Sequence, residues 1–94
     1  MKILKMQEFK FIFTLQDKLI ACGFNYFPNN KIKYASGFVY ITISKDRKTV
    51  FEKILIDTDG RNPYQVFYQC AKKFLTLKKK FENVKTYDEL LNLL

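Results

Sequence analysis

The chain has 94 residues, 48% of them hydrophobic, with 17 basic against 9 acidic residues and a formal charge of +8. That hydrophobic share excludes a disordered chain, and the length suits one domain, residues 1–94, burying roughly 60–65% of its unfolded surface around a single modest core. With no histidine, and with Ser36 and Ser44 as the only serines, the usual nucleophile–base arrangements are missing and no enzyme is expected.

At the N-terminus, Lys5 and Glu8 interrupt the apolar run Met1-Lys2-Ile3-Leu4. No signal peptide and no membrane span are therefore expected, and the expected location is cytoplasmic, in the protein's own cell or a host cell. Residues 7–22 admit two readings. Phe9, Phe11, Phe13 and Leu15 alternate as in a strand, yet on a helical wheel they join Ile12, Leu19, Ile20 and Cys22 on one broad apolar face. Gly23 followed by Phe24 resembles a helix C-cap with its apolar contact, so the spacing predicts a helix over about 8–22. The alternative is a strand at 9–13 followed by a short helix opened by Thr14 and Asp17.

Pro28-Asn29-Asn30 is turn chemistry between two β-prone runs and predicts strands at 24–27 and 31–35. A straight second strand would place Lys31 and Lys33 on the core side. A bulge at Ser36-Gly37 avoids burying two ammonium groups and is preferred. Residues 38–56 read as a β-hairpin around Lys45-Asp46-Arg47-Lys48. A two- or four-residue loop sets Ser44 opposite Thr49, Ile43 opposite Val50 and Val39 opposite Ile54, whereas a three-residue loop would flip the faces of the second arm; the first register is preferred. One face then holds Val39, Ile41, Ile43, Val50, Ile54 and Ile56, with Glu52. The other holds Phe38, Tyr40, Thr42, Phe51, Lys53 and Leu55.

Residues 57–61 are expected to form a loop. Asn62-Pro63-Tyr64-Gln65 then supplies a cap, a proline at the first helical position and a glutamine at the third, predicting a long helix to about Glu82. Phe67, Cys70, Ala71, Phe74, Leu77 and Phe81 form its apolar stripe, assisted by Tyr64 and Leu75. Thr86, with Glu89 three residues on, opens a short helix carrying Leu90, Leu91, Leu93 and Leu94. The expected fold is α+β: an N-terminal helix, a three-stranded antiparallel meander, a long helix and a short C-terminal helix packed on one face of the sheet. The other face, with Phe38, Tyr40, Phe51 and Lys53, would be open.

Cys22 and Cys70 lie in apolar patterns and read as two buried thiols in a reducing compartment; a disulfide between them would require suitable geometry. Asp57-Thr58-Asp59-Gly60 resembles a fragment of a calcium loop. Placing Gly60 sixth puts Leu55 first and Val66 twelfth, where carboxylates are required, so that match fails. Two carboxylates suffice to hold Mg²⁺, but a turn leading into a helix cap explains them as well, and no metal or cofactor is expected.

The basic residues point to a partner. Residues 72–85 hold six lysines against Glu82 alone, and residues 31–53 hold six bases against Asp46 and Glu52. A solvated helix face is one explanation; the shortage of interspersed acids for i,i+4 pairing favours an anionic partner. Ser36-Gly37-Phe38-Val39-Tyr40-Ile41-Thr42-Ile43 resembles, over those eight residues, the longer signature of the RNA-recognition-motif family. It departs from that signature at Ser36, Val39 and Ile43. The resemblance implies that Phe38 and Tyr40 stack on bases from an open sheet. The helix–three strands–helix order is also that of double-stranded-RNA-binding domains, without the lysines those carry at the start of the last helix. The expected function is a small non-enzymatic module for nucleic acid or a nucleoprotein. Lys72, Lys73, Lys79 and Lys80 would hold phosphates, Lys31, Lys33 and Lys53 would add charge, and Phe38 and Tyr40 would stack. The rival is a protein–protein accessory or inhibitor, for example encoded by a phage or mobile element and acting on a host nucleoprotein. It would dock by its open sheet face, to a protein partner or to a second copy of itself.

Overall fold

The alternation of Phe9, Phe11, Phe13 and Leu15 prevails over the helical reading. In the computed structural model, which describes residues 6–29 and 31–94, β1 (Gln7–Leu15) and β2 (Lys18–Asn29) form an antiparallel hairpin. No helix forms over residues 8–22. Leu15 pairs with Lys18 across a two-residue turn in which Gln16 takes a left-handed φ of 58°. The strand reading wins because β2 alternates too: Ile20, Cys22, Phe24 and Tyr26 are all buried. Across the hairpin Phe9, Phe11 and Phe13 stand directly opposite Phe24, Cys22 and Ile20, so the two rows support one another on one face. Gly23, read as a helix cap, is instead an interior strand residue paired with Tyr40. Met1 to Lys5, which hold the interrupted apolar run, and Asn30 of the predicted turn lie outside the described residues.

Two further strands, β3 (Tyr34–Lys45) and β4 (Lys48–Gly60), complete a four-stranded antiparallel sheet in the order β1-β2-β3-β4. The expected three-stranded meander thus gains a strand at its front, and the helix–three strands–helix order is absent. β3 runs straight through Ser36-Gly37 with no bulge there. Lys31 and Lys33 escape the core because they sit in the connection between Asn29 and Tyr34, not in a strand. Asn29 Oδ1 accepts the Lys31 amide at 3.2 Å, an Asx-type turn.

At the other end, Asp46 and Arg47 have φ of 54° and 66°, the left-handed pair of a type I′ turn, and Ser44 does face Thr49. Beyond it the β3–β4 register shifts twice, between Ile43 and Ser44 and between Val39 and Tyr40. Ile43 therefore faces Phe51, not Val50, and Val39 faces Ile56, not Ile54. The first bulge reverses the expected faces over residues 50–55, so that Phe51 and Leu55 pack towards the core while Val50, Glu52 and Ile54 are exposed; the second leaves Ile56 on the core side, as expected. Residues 57–60, expected as a loop, extend β4, with Asp57 opposite Phe38 and Asp59 opposite Ser36.

Helix α1 (Pro63–Phe81) begins as predicted, with the Asn62 side chain accepting the Gln65 amide, and ends at the cap residue Glu82. It lies on one face of the sheet. Val66, Cys70, Phe74, Leu77 and Phe81 meet Ile20, Cys22, Phe24, Val39, Ile41 and Ile43 in the core. Phe11 and Phe13 wrap Phe81 with ring centroids at 6.2 and 5.9 Å, and Phe67 packs on Phe24 at 5.3 Å. Helix α2 (Tyr87–Asn92), capped by Thr86, adds Leu90 and closes the turn end, where its Tyr87 amide donates to Gln16 Oε1 at 3.1 Å. Gly37 lets the helix approach: a Cβ there would stand 3.1 Å from Cys70 Sγ and 3.2 Å from the Asn25 carbonyl.

Candidate functional site

Two surfaces, on opposite sides of this two-layer sandwich, carry the residues singled out by the sequence. The first is the outer side of α1, a helix about 28 Å long at 1.5 Å per residue. Because the buried set recurs at Val66, Cys70, Phe74, Leu77 and Phe81, the 3.6-residue period turns Tyr68, Lys72, Leu75 and Lys79 to solvent. Tyr64 and Leu75 were expected to support the core. They are 88% and 60% exposed because they fall more than a quarter-turn from the buried stripe. Lys72 Nζ stands 6.0 Å from the centre of the Tyr68 ring. Lys73 and Lys80 lie on the flank shared with Gln69, whose side chain meets Thr58 of β4.

Among the described residues, the only salt bridges join Asp17 to Lys18 and Lys45, so none involves a lysine of α1. Lys78, Lys79 and Lys80 occupy the last turn, where they complement the helix dipole for about 0.3–1 kcal/mol each at an exposed site.

The second surface is the sheet face away from α1. Residues directly opposite in adjacent strands share a face, so its rows read Glu8–Asn25–Phe38–Asp57, Lys10–Gly23–Tyr40–Ile54 and Ile12–Ala21–Thr42–Glu52. Phe27, Phe38 and Tyr40 form a line of rings with centroids 6.1 and 5.9 Å apart. Tyr40 lies across Gly23, where any Cβ would run into its ring. A pocket of about 420 Å³ opens beside it, lined by Asn25, Phe38, Tyr40, Glu52, Lys53 and Ile54.

The sites expected from sequence are divided by this geometry. Phe38 and Tyr40 do share the open face and are partly buried there. Phe51 does not join them, and Lys53 borders their pocket while its ammonium turns away. Lys53 pairs with Ile41, and its ammonium donates to the Leu94 carbonyl at 2.8 Å on the helix side. Lys31 and Lys33 lie at the α1 N-terminal end of the molecule, where the Tyr26 hydroxyl donates to the Pro63 carbonyl at 3.0 Å, remote from Lys79 and Lys80. The charge around the two rings is acidic, with Glu8, Glu52 and Asp57 against Lys10, while Asp59 lies further along β4 beside Tyr34 and Arg61. Sequence reasoning missed Tyr68, Asn25, Glu8 and Ile54. Tyr64, Tyr68 and Lys72 are spaced i,i+4 and were visible as a stripe; the rest depended on strand pairings that no local pattern discloses.

Both thiols are free and buried, and burial pushes Cys22 up to about 12 and raises Cys70, which also feels Asp57. That makes them poor nucleophiles. Asp57 and Asp59 sit side by side on the open face of β4, and among the described residues no group of three or more acidic, cysteine or histidine side chains comes together to hold a metal. No described helix is long and apolar enough to cross a membrane. No protein-family model matches the chain, and comparison with curated proteins and with solved structures gave no match.

Proposed function

We propose that this protein is a non-enzymatic binding module that holds nucleic acid, alone or within a nucleoprotein, on the outer side of α1. The observation that carries this reading is the solvent-facing stripe of Tyr64, Tyr68, Lys72 and Lys79, flanked by Lys73 and Lys80, with no ion pair to any of these lysines among the described residues. Unpaired ammonium groups at this density repel one another, and phosphates spaced along a strand relieve that repulsion. Lysine contacts of this kind follow the backbone rather than read base edges. Exposed tyrosine rings between them give unpaired bases a surface to stack on, which favours single strands over duplex.

Counterion release distinguishes this function from mere solubility or dipole compensation. If four lysines neutralise four phosphates, affinity should fall with salt at a log–log slope near −3 on single strands and near −4 on duplex DNA, each an order-of-magnitude figure. Fluorescence anisotropy with labelled single-stranded RNA and DNA, titrated from low salt upward, measures it. Changing Lys72, Lys73, Lys79 and Lys80 together to Gln should remove most of the slope and leave the circular-dichroism spectrum unchanged. Tyr68→Ala should weaken single-strand binding and spare the slope. Absence of binding to either nucleic acid at low salt would overturn the reading.

A further inference from the structure

The pocket on the open sheet face has a chemistry opposite to that of the helix. We propose that it receives the guanidinium of an arginine side chain presented by a protein partner. Three features converge on that occupant. The walls are the rings of Phe38 and Tyr40, with Ile54, itself 53% exposed, alongside. Rings of this kind attract a flat cation over their faces. Glu52 lines the pocket, Glu8 Oε2 lies 3.5 Å from the Tyr40 hydroxyl, and Asp57 sits opposite Phe38 on the same face.

The lysine in the lining does not neutralise them, because the Lys53 ammonium is drawn to the Leu94 carbonyl on the other side of the sheet. Lys10, in the row of Gly23 and Tyr40, is the one ammonium within the central rows, and it stands on the edge strand β1. Asn25 also lines the pocket, its Oδ1 buried and without a hydrogen-bond donor. A guanidinium supplies five N–H groups and a plane that stacks on tyrosine, whereas an ammonium supplies a compact point charge.

This separates the two surfaces by partner. A phosphate approaching Phe38 and Tyr40 would meet carboxylates, so stacking of RNA on this face is the competing assignment to be tested. The experiment follows backbone amide shifts of ¹⁵N-labelled full-length protein titrated with a capped Gly-Arg-Gly peptide, its citrulline counterpart and a short single-stranded RNA. Citrulline keeps the shape and removes the charge. The arginine peptide should move Gly23, Asn25, Tyr40 and Ile54 saturably, with the citrulline peptide roughly tenfold weaker. Glu52→Gln should weaken the arginine peptide to a similar degree. Glu52 is exposed, so this variant folds, and it keeps the test sound should a Tyr40 variant not fold. The variant with Lys72, Lys73, Lys79 and Lys80 changed to Gln should bind the arginine peptide as the wild type does. Equal binding of the citrulline peptide, no saturable shift at these residues, or RNA moving them instead would each overturn the proposal.

Discussion

The outer side of α1 and the open face of the sheet are both solvent-exposed and both carry aromatic rings, yet they differ in the sign of their charge. On the helix, Tyr64 and Tyr68 stand among Lys72, Lys73, Lys79 and Lys80; on the sheet, Phe38 and Tyr40 stand among Glu8, Glu52 and Asp57. A net charge of +8 conceals this segregation. The difference arises from how each element exposes its residues. A helix exposes residues by a 3.6-residue period, which here collects the lysines of a single run. A sheet face collects every second residue from four strands distant in sequence. A ring is therefore not by itself a base-stacking residue. Its neighbours across the sheet decide what it can meet.

The largest effect should come from the layer that holds the two surfaces apart. Ile41, fully buried between sheet and helix, should cost about 2–5 kcal/mol when changed to Ala, as buried truncations do. Tyr40, its neighbour on the opposite face, should cost about 1 kcal/mol, since its contacts with Gly23, Phe38 and Glu8 are lost on a solvent-facing side with no core cavity left behind. Urea denaturation of both variants measures the contrast. Equal losses would show that the open face is as much a core as the helix face, and the comparison would fail.

A smaller effect tests how closely the layers meet. Gly37→Ala would set a methyl 3.1 Å from Cys70 Sγ and 3.2 Å from a β2 carbonyl, with backbone on one side that cannot yield. Overpacking of this kind should cost about 1–3 kcal/mol. Cys70→Ala in the same chain should recover part of the loss, because removing the sulfur gives the methyl room. A double variant no more stable than Gly37→Ala would locate the strain at the Asn25 carbonyl instead.

Much of the fold is legible in the sequence wherever one residue type has a single local meaning. Asn62-Pro63 and Thr86-x-x-Glu89 cap their helices because only a short polar acceptor can satisfy the first free amides, and both caps form as expected. Val39, Ile41 and Ile43 alternate, and all three are buried. The failures share a cause. In residues 8–22 the apolar residues are dense enough to satisfy both periods, and the missing information was the partner row at Ile20, Cys22, Phe24 and Tyr26. In β4 a local reading assumed one register, while the first bulge moved Phe51 and Leu55 inward and Glu52 and Ile54 outward. That reassignment also turned the Lys53 ammonium away from the open face, although the residue still borders the pocket. The lysines of α1 were visible as a run and remain together on the helix. The pocket around Asn25 depended on pairings between three strands and was not visible at all.

The smallest effect concerns Asp17, around which the salt bridges among the described residues gather. Asp17, in the β1–β2 turn, lies 2.9 Å from Lys18 and 3.1 Å from Lys45 at the end of β3. Hydrogen bonds from Lys18 and then Lys45 hold its carboxyl down to about 2, below an ordinary value of 3.8. A carboxyl with a lowered folded-state value stabilises the fold when ionised, so its contribution is complete above about pH 4 and disappears as pH falls towards 2. The pair is exposed, so the contribution is small and screened by salt. Asp17→Asn should therefore be slightly less stable than the wild type at neutral pH, with urea midpoints converging at low pH and also at high salt. The α1 lysines should show the opposite salt response, because added salt relieves their mutual repulsion. A wild-type advantage over Asp17→Asn that persisted unchanged to pH 2 would mean that Asp17 acts through the geometry of the turn, not through its charge.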